Sequence, residues 1–333
     1  MNASPLNLLT DVPGLAVGHA DDAGLASGVT AIVFDAPAVA SVSVLGGAPG
    51  TRETELLAPE STVPAIDAIL LSGGSAFGLD AAGGAQAWLR ENGRGLAIGD
   101  IRVPLVPQAI CFDLLNGGDK HWGRFSPYRD LGYEACRAAR PGAFALGTVG
   151  GGYGATTVNL KGGLGSASAT TSSGHSVGAL VIVNALGSAI IGDGPHFWAA
   201  GLERDAEFGG LGFPAPIPAG AQQLTWKGQV QATTIALVAT DAVLDKARAK
   251  RLAVAAHGGI ARALRLSHAA MDGDTVFAAA TAKRPLTGPD DLTEIAATAA
   301  DCLSRAIARG VHAATALPFA RALPAWRDRF GRR

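Results

Sequence analysis

The sequence predicts an α/β protein folded as a layered sandwich. Three features point there. Short apolar runs rich in Val and Ile recur between turns of Gly, Pro and Asp, as strands do. Ala-rich amphipathic runs follow in the last third of the chain, as helices do. Strands and helices do not alternate in a strict βαβ rhythm, which favours stacked layers over a doubly wound sheet.

The elements follow in order. LAVGH at 15–19, VTAIVF at 29–34 and VASVSVL at 39–45 read as three short strands separated by Gly, Ala, Asp and Pro. GGAPGTRETELL at 46–57 is a glycine turn with a charged continuation. AIDAILLSGG at 65–74 reads as a buried strand ending in a glycine turn. SAFGLDAAGGAQAWLREN at 75–92 reads as one helix, with Ser75 near its start and Gly93 past its end. Its apolar positions Ala76, Leu79, Gly83 and Ala87 predict close packing on a sheet. YEACRAAR at 133–140 is a second short helix.

The glycine-dense stretch 145–191 favours strands and tight loops, and VGALVIVNALGSAII at 177–191 reads as a buried strand pair. Residues 192–230 carry four prolines and no clean periodicity, the pattern of a surface connection that tolerates a chain break. TTIALVAT at 233–240 is a buried strand. DAVLDKARAKRLAVAAHGGIARALR at 241–265 reads as a helix capped by Asp241, with Leu244, Ala247, Leu252, Val254 and Ala255 as its apolar stripe. DTVFAAATA at 274–282 is a strand. Residues 290–315 form a long Ala-rich helix with acids in its first turn, where the helix dipole favours them.

Composition bounds the function. With 333 residues, 48% hydrophobic and 17% charged, the chain can bury a sizeable core and is not disordered. Its 45 glycines exceed the usual share of about 7% and lack the period of three that collagen needs. A net charge of −1 gives no reason to expect nucleic acid as a partner. Cys111, Cys136 and Cys302 lie far apart, and no signal peptide is evident; both predict reduced thiols and a cytoplasmic location. No apolar run approaches the roughly 18 residues that span a bilayer, so no membrane association is expected. The seven histidines show no ligand spacing, so neither metal nor cofactor is expected.

Two stretches carry chemistry. The first is QATTIALVATDAV at 231–243, an apolar run that begins on two threonines just after the Pro/Gly-rich connection. A threonine inside a chain is a poor nucleophile, and Thr233 could simply start a strand. If the peptide bond before it is cut, its freed α-amine can serve as its own base. The second is MDGDTVF at 271–277, which sets Asp272 and Asp274 two residues apart. In an extended segment both side chains point the same way; as D-G-D they could instead be turn residues. SGGSAFG at 72–78 offers another possibility, a nucleophile elbow with Ser75 at a strand-to-helix turn, although close packing or an anion-binding helix start would use the same residues. The glycines at 147–154 lack the G-K-[ST] of a phosphate loop.

Five motifs together resemble a known family: GGAPGTRETELL, LLSGGSAFGLDAAGG, LKGGLGSAS, TTIALVATDA and GDTVFAAAT. It is the family of L-aminopeptidase/D-esterase, β-peptidyl aminopeptidase and nylon-oligomer endohydrolase, and the likeness runs from DVPGLAVGH at 11–19 to the C-terminal helix. The resemblance implies a four-layer αββα sandwich, two stacked sheets flanked by helices, of the N-terminal-nucleophile type. It implies a single domain that cuts itself between Ala232 and Thr233 into pieces 1–232 and 233–333, which stay together. Thr233 matches the nucleophile, and Asp272 and Asp274 match the pair that orients the nucleophile and its amine. Asn184 matches the asparagine that donates to the oxyanion; read by itself it could also close a turn between strands. Asn159 or Lys161 falls where the nylon-oligomer hydrolase has a lysine near the site, and Phe112 where characterised members have a tyrosine. Ala232 stands where Asn or Gly is common, but the acyl shift uses the Thr hydroxyl, so alanine is no chemical bar. Phe112 lacks the phenolic hydroxyl, so another donor, such as Tyr153, is expected.

The implied activity is an aminopeptidase acting on small peptides or amino-acid amides and esters through an acyl-enzyme. The implied assembly is a homo-oligomer, often a tetramer. The alternatives are an acyltransferase of the ornithine acetyltransferase type, a nylon-oligomer-type amide hydrolase, or an uncut non-catalytic protein.

Overall fold

A computed structural model describes residues 5–228 and 231–331. Its strands are β1 (Leu15–Asp22), β2 (Ser27–Val44), β3 (Thr51–Arg52), β4 (Ile66–Ser72), β5 (Leu96–Ile98), β6 (Ile101–Val103), β7 (Gln108–Ile110), β8 (Gly163–Thr170), β9 (Ser176–Asn184), β10 (Thr233–Ala242) and β11 (Thr275–Arg284). Its α-helices are α1 (Ser75–Gly78), α2 (Ala81–Glu91), α3 (Tyr128–Ala138), α4 (Lys246–Ala263), α5 (Asp291–Ala313) and α6 (Trp326–Phe330).

The long strand β2 belongs to two sheets. Its first half pairs antiparallel with β1 and β4 (Ile32 opposite Ile69), while its second half pairs antiparallel with β11 (Val42 opposite Phe277). The order β3-β7-β4-β2-β11-β10-β9-β8 therefore bends at β2 into two stacked layers. β10 runs parallel to β11, joined through α4, and antiparallel to β9.

Alternation along the strands shows the layers. Ile32, Phe34, Ile69 and Leu71 of one sheet meet Leu180, Ile182, Ile235, Leu237 and Phe277 of the other in one buried cluster. The opposite faces turn outward. Val181, Val183, Ala236 and Val238 pack on Leu252, Ile260, Leu303 and Ile307 of α4 and α5. Val29, Ala31, Ala68 and Leu70 pack on Ala81, Ala85 and Leu89 of α2 and on Tyr128, Ala135 and Cys136 of α3. Period-two strands with two apolar faces demand cover on both sides. The result is the expected α/β, four-layer αββα sandwich.

Several boundaries differ from the sequence expectations. VTAIVF and VASVSVL are one strand: Asp35, Ala36 and Pro37 lie exposed where the ladder to β4 breaks, so the proline sits where β2 changes partners. The helix expected over 75–92 is two, broken at Leu79–Asp80. Its small residues meet a helix as well as a sheet. A Cβ on Gly84 would fall 1.8 Å from the Arg129 carbonyl oxygen, so only glycine lets α2 and α3 cross this closely. Asp241 caps nothing: it lies in β10, where its Oδ1 accepts the Ser176 N–H at 2.9 Å. The cap of α4 is Asp245, whose carboxylate accepts the Arg248 N–H at 2.7 Å. The 177–191 stretch is one strand and a buried loop, because the chain turns at Asn184. The connection after it is partly anchored, with Phe197 and Phe208 buried and Glu207 paired to Arg305 at 2.6 Å. No helix among the described residues is long and apolar enough to cross a membrane.

Candidate active site

The first residue of β10, Thr233, is opposite the last residue of β9, Asn184, in the antiparallel register. On its other side the turn before β11 approaches in parallel, so that Ala232 bridges to Asp272. Three strand ends thus bring Asn184, Thr233, Asp272 and Asp274 together, all of them buried. The loop after β2 closes over this turn. Ala48 N–H donates to the Asp272 carbonyl at 2.8 Å and Leu45 N–H to the Asp274 carbonyl at 3.1 Å.

The Thr233 hydroxyl donates to the carbonyl oxygen of Ala232 at 2.5 Å. That oxygen also accepts the Gly273 N–H at 3.0 Å. The carbonyl before Thr233 is therefore polarised by two donors, one of them the hydroxyl itself. Gly273 is required by space: a Cβ there would lie 2.7 Å from the Thr233 hydroxyl oxygen and 2.8 Å from the Ala48 carbonyl oxygen.

The two aspartates differ in character. Asp274 accepts the Thr234 N–H at 2.8 Å and the His268 N–H at 2.9 Å. The His268 ring nitrogen Nδ1 also lies 2.9 Å from it, too oblique for a directed hydrogen bond, so that contact is electrostatic. Burial works against ionisation, but these contacts outweigh it and hold Asp274 below the usual carboxylate range. Asp272 has one buried oxygen with no partner among the described residues. Burial, and then the neighbouring Asp274 charge, raise its pKa well above the usual range. Paired acids pushed apart in this way suit different proton-transfer roles.

Beside these residues opens a cavity of about 600 Å³. Phe112, Leu115, Leu317, Phe319 and Leu323 give it apolar walls, and Thr156, Lys161 and Lys227 give it polar ones. Asn184 connects it to Thr233. Its Nδ2 donates to the Phe112 carbonyl at 3.0 Å and its Oδ1 accepts the Thr156 N–H at 3.0 Å. Lys161 is buried and donates to the carbonyls of Gly152, Ala155 and Gly162 at 3.1, 2.8 and 2.8 Å. Burial pulls its pKa down to about 7.

Of the residues expected here, Thr233, Asp272, Asp274 and Asn184 come together, and Phe112 and Lys161 line the adjoining cavity. Asn159 does not: its Oδ1 accepts the hydroxyls of Thr157 and Ser188, and it lines a separate hollow with Trp198 and Arg265. Of the alternatives Asn159 and Lys161, the lysine is the one that lines the cavity. Tyr153 is not among the residues that line the cavity. Ser75 has the positive φ (+52°) of an elbow, but no histidine hydrogen-bonds to it among the described residues, so no Ser-His-Asp triad forms around it. Sequence alone assigns Lys227, His268 and Gly273 no role at the site. Only Gly273, between the aspartates, carried a local signal.

Comparison with known proteins agrees with this architecture. A family model described as peptidase family S58 matches residues 7–322. Proteins of Mycobacterium tuberculosis and Mycobacterium leprae named as uncharacterized aminopeptidases are 44% and 43% identical. The alignments cover 98% and 94% of this chain, and 98% and 92% of theirs. A 6-aminohexanoate-oligomer endohydrolase of Kocuria sp. is 28% identical over 81% of this chain and 74% of its own. Among solved structures, a β-aminopeptidase of Burkholderia sp. superposes with a TM-score of 0.71 at 24% identity, covering 98% of this chain and 92% of that one. The L-aminopeptidase D-Ala-esterase/amidase of Ochrobactrum anthropi, described as a variant of the Ntn hydrolase fold, gives 0.71 at 21% with the same coverage. The chain belongs to peptidase family S58 and is a hydrolase of the serine/threonine aminopeptidase kind.

Proposed function

We propose that this protein is a self-processing aminopeptidase whose nucleophile is Thr233, released by scission of the Ala232–Thr233 bond. The observation that supports this most is the Thr233 hydroxyl held 2.5 Å from the carbonyl oxygen of the residue before it, with the Gly273 N–H on the same oxygen. In the first step the hydroxyl oxygen attacks the Ala232 carbonyl carbon, and the Gly273 N–H stabilises the oxyanion. The C–N bond breaks as the hydroxyl proton passes to the nitrogen, and an ester remains. Water hydrolyses that ester to give the Ala232 carboxylate and a free Thr233 amine and hydroxyl.

In turnover the neutral amine accepts the hydroxyl proton as the oxygen attacks a substrate amide or ester. Asn184 is the donor for that second oxyanion. Asp274, held ionised, orients the Thr233 segment through the Thr234 N–H. Asp272, whose protonated form is favoured by burial and by the Asp274 charge, stands beside the nucleophile as a proton donor. The Thr233 ammonium returns the hydroxyl proton to the leaving amine of an amide or alcohol of an ester, and water releases the acid from the acyl-threonine.

Substrates of this enzyme are small peptides or amino-acid amides and esters, with the acyl side chain in the apolar cavity. A nylon-oligomer-type amide hydrolase is the second reading, favoured by Lys161 in the cavity wall and by the 28% identical endohydrolase. The test is intact mass of active protein, where two masses for 1–232 and 233–333 are expected. Thr233→Ala is expected to stay uncut and inactive; full activity in that variant overturns the proposal.

A further inference from the structure

The approach to the cut carries a side chain that neither the scission nor the turnover above uses. Lys227 lies six positions before Thr233, in a segment whose neighbours Gln222 to Trp226 are all exposed. Its own ammonium is turned inward. It donates to the Thr156 carbonyl at 2.8 Å, and to the Asn184 carbonyl and the Asn184 Oδ1, both at 3.2 Å. Its backbone N–H donates to the Leu186 carbonyl at 3.2 Å, which pins the segment beside the end of β9.

These contacts bear on the direction in which the Asn184 amide faces. A carboxamide has one accepting and one donating end, related by a half-turn. Here the accepting end receives two donors, the Thr156 N–H and the Lys227 ammonium. The donating end gives one proton to the Phe112 carbonyl, and its second proton meets no acceptor among the described residues. Turned over, the NH2 group would face an N–H and an ammonium, and the Phe112 carbonyl would lose its donor. A cation makes the lock stronger than a neutral donor can.

We propose that Lys227 is a positioning residue that fixes the Asn184 carboxamide with its NH2 group presented to the reacting carbonyl. This rests on the proposed Thr233 chemistry with Asn184 as oxyanion donor. It also gives the residue a place after scission. Lys227 then belongs to the piece 1–232, and its contacts with Thr156, Asn184 and Leu186 all lie within that piece. Burial pulls the Lys227 pKa down to about 7, against the opposing influence of Cys111 and Asp272.

The experiment is a double-mutant cycle on the whole protein, comparing wild type, Lys227→Met, Asn184→Ala and the double variant. The readouts are kcat and KM for an amino-acid p-nitroanilide, and self-cleavage rates from intact mass. Lys227→Met is expected to lose roughly tenfold in kcat, the value of one charged hydrogen bond, with KM within about twofold. Lys227→Arg should recover most of that loss. The double variant should be no slower than Asn184→Ala, because the lysine acts through the amide. Wild-type kcat in Lys227→Met, losses that multiply in the double variant, a change confined to KM, or loss of the folded state in Lys227→Met would each overturn the role of Lys227. Active wild-type protein found uncut would instead overturn the Thr233 chemistry itself.

Discussion

At the scale of single residues, the site is a matter of tenths of an ångström. The Thr233 hydroxyl, the Ala232 carbonyl and the Gly273 N–H form one tight group, and no atom fits between Gly273 and the hydroxyl. Gly273→Ala must displace one of them. It is expected to slow self-cleavage roughly 10²-fold, since misplacement by about 1 Å costs that much, with little change in the fold. A time course of intact mass measures it. The sequence marked Thr233, Asp272 and Asp274 because each stands at the edge of an apolar run, where strand ends meet. It could not mark Lys227 or His268, whose importance lies in contacts between distant segments. Nor could it choose between Asn159 and Lys161, two residues apart, because the choice depends on which way a short loop faces.

At the scale of elements, the strands were legible where burial and β-branching agree, as in β10, whose ten residues are all buried. They were misread where a local signal competes with a long-range one. Asp35–Ala36–Pro37 looks like a turn, yet β2 continues through it because each half has a different sheet to join. The start of α4 shows the same competition. Asp241 and Asp245 are equally good caps by residue type, but β10 claims Asp241 for its pairing with β9. Asp245→Ala is therefore expected to cost about 1 kcal/mol in urea unfolding, as loss of a cap does. An unchanged midpoint would show that the Arg248 N–H finds another acceptor.

At the scale of the whole molecule, burial of ionisable groups ties stability to pH. The Lys161 pKa is lowered to about 7 in the folded chain from an ordinary value of 10.5. Between those values the unfolded chain holds a proton that the folded chain has shed, so unfolding must take one up. Raising the pH through this window therefore favours the folded state, by at most about 1.4 kcal/mol per unit for one group. The advantage of wild type over Lys161→Met in urea unfolding should grow between pH 7 and pH 9. A constant difference would show that the lysine keeps its charge in the folded chain. Groups outside the field of Lys161, Asp272 among them, cancel in the comparison, whereas Asp113, Cys111 and Lys227 lie in that field and shift with it.

The order of strands also decides what a broken backbone can do. β10 and β11 follow the proposed scission point, yet they are laced between β9 on one side and β2 on the other, both of which precede it. A nick at 232–233 thus opens no seam between two bodies. To part, the pieces would have to unzip two antiparallel ladders at once and strip α4 and α5 from the sheet they cover. The fold is a dovetail joint, in which cutting the thread does not separate the wood.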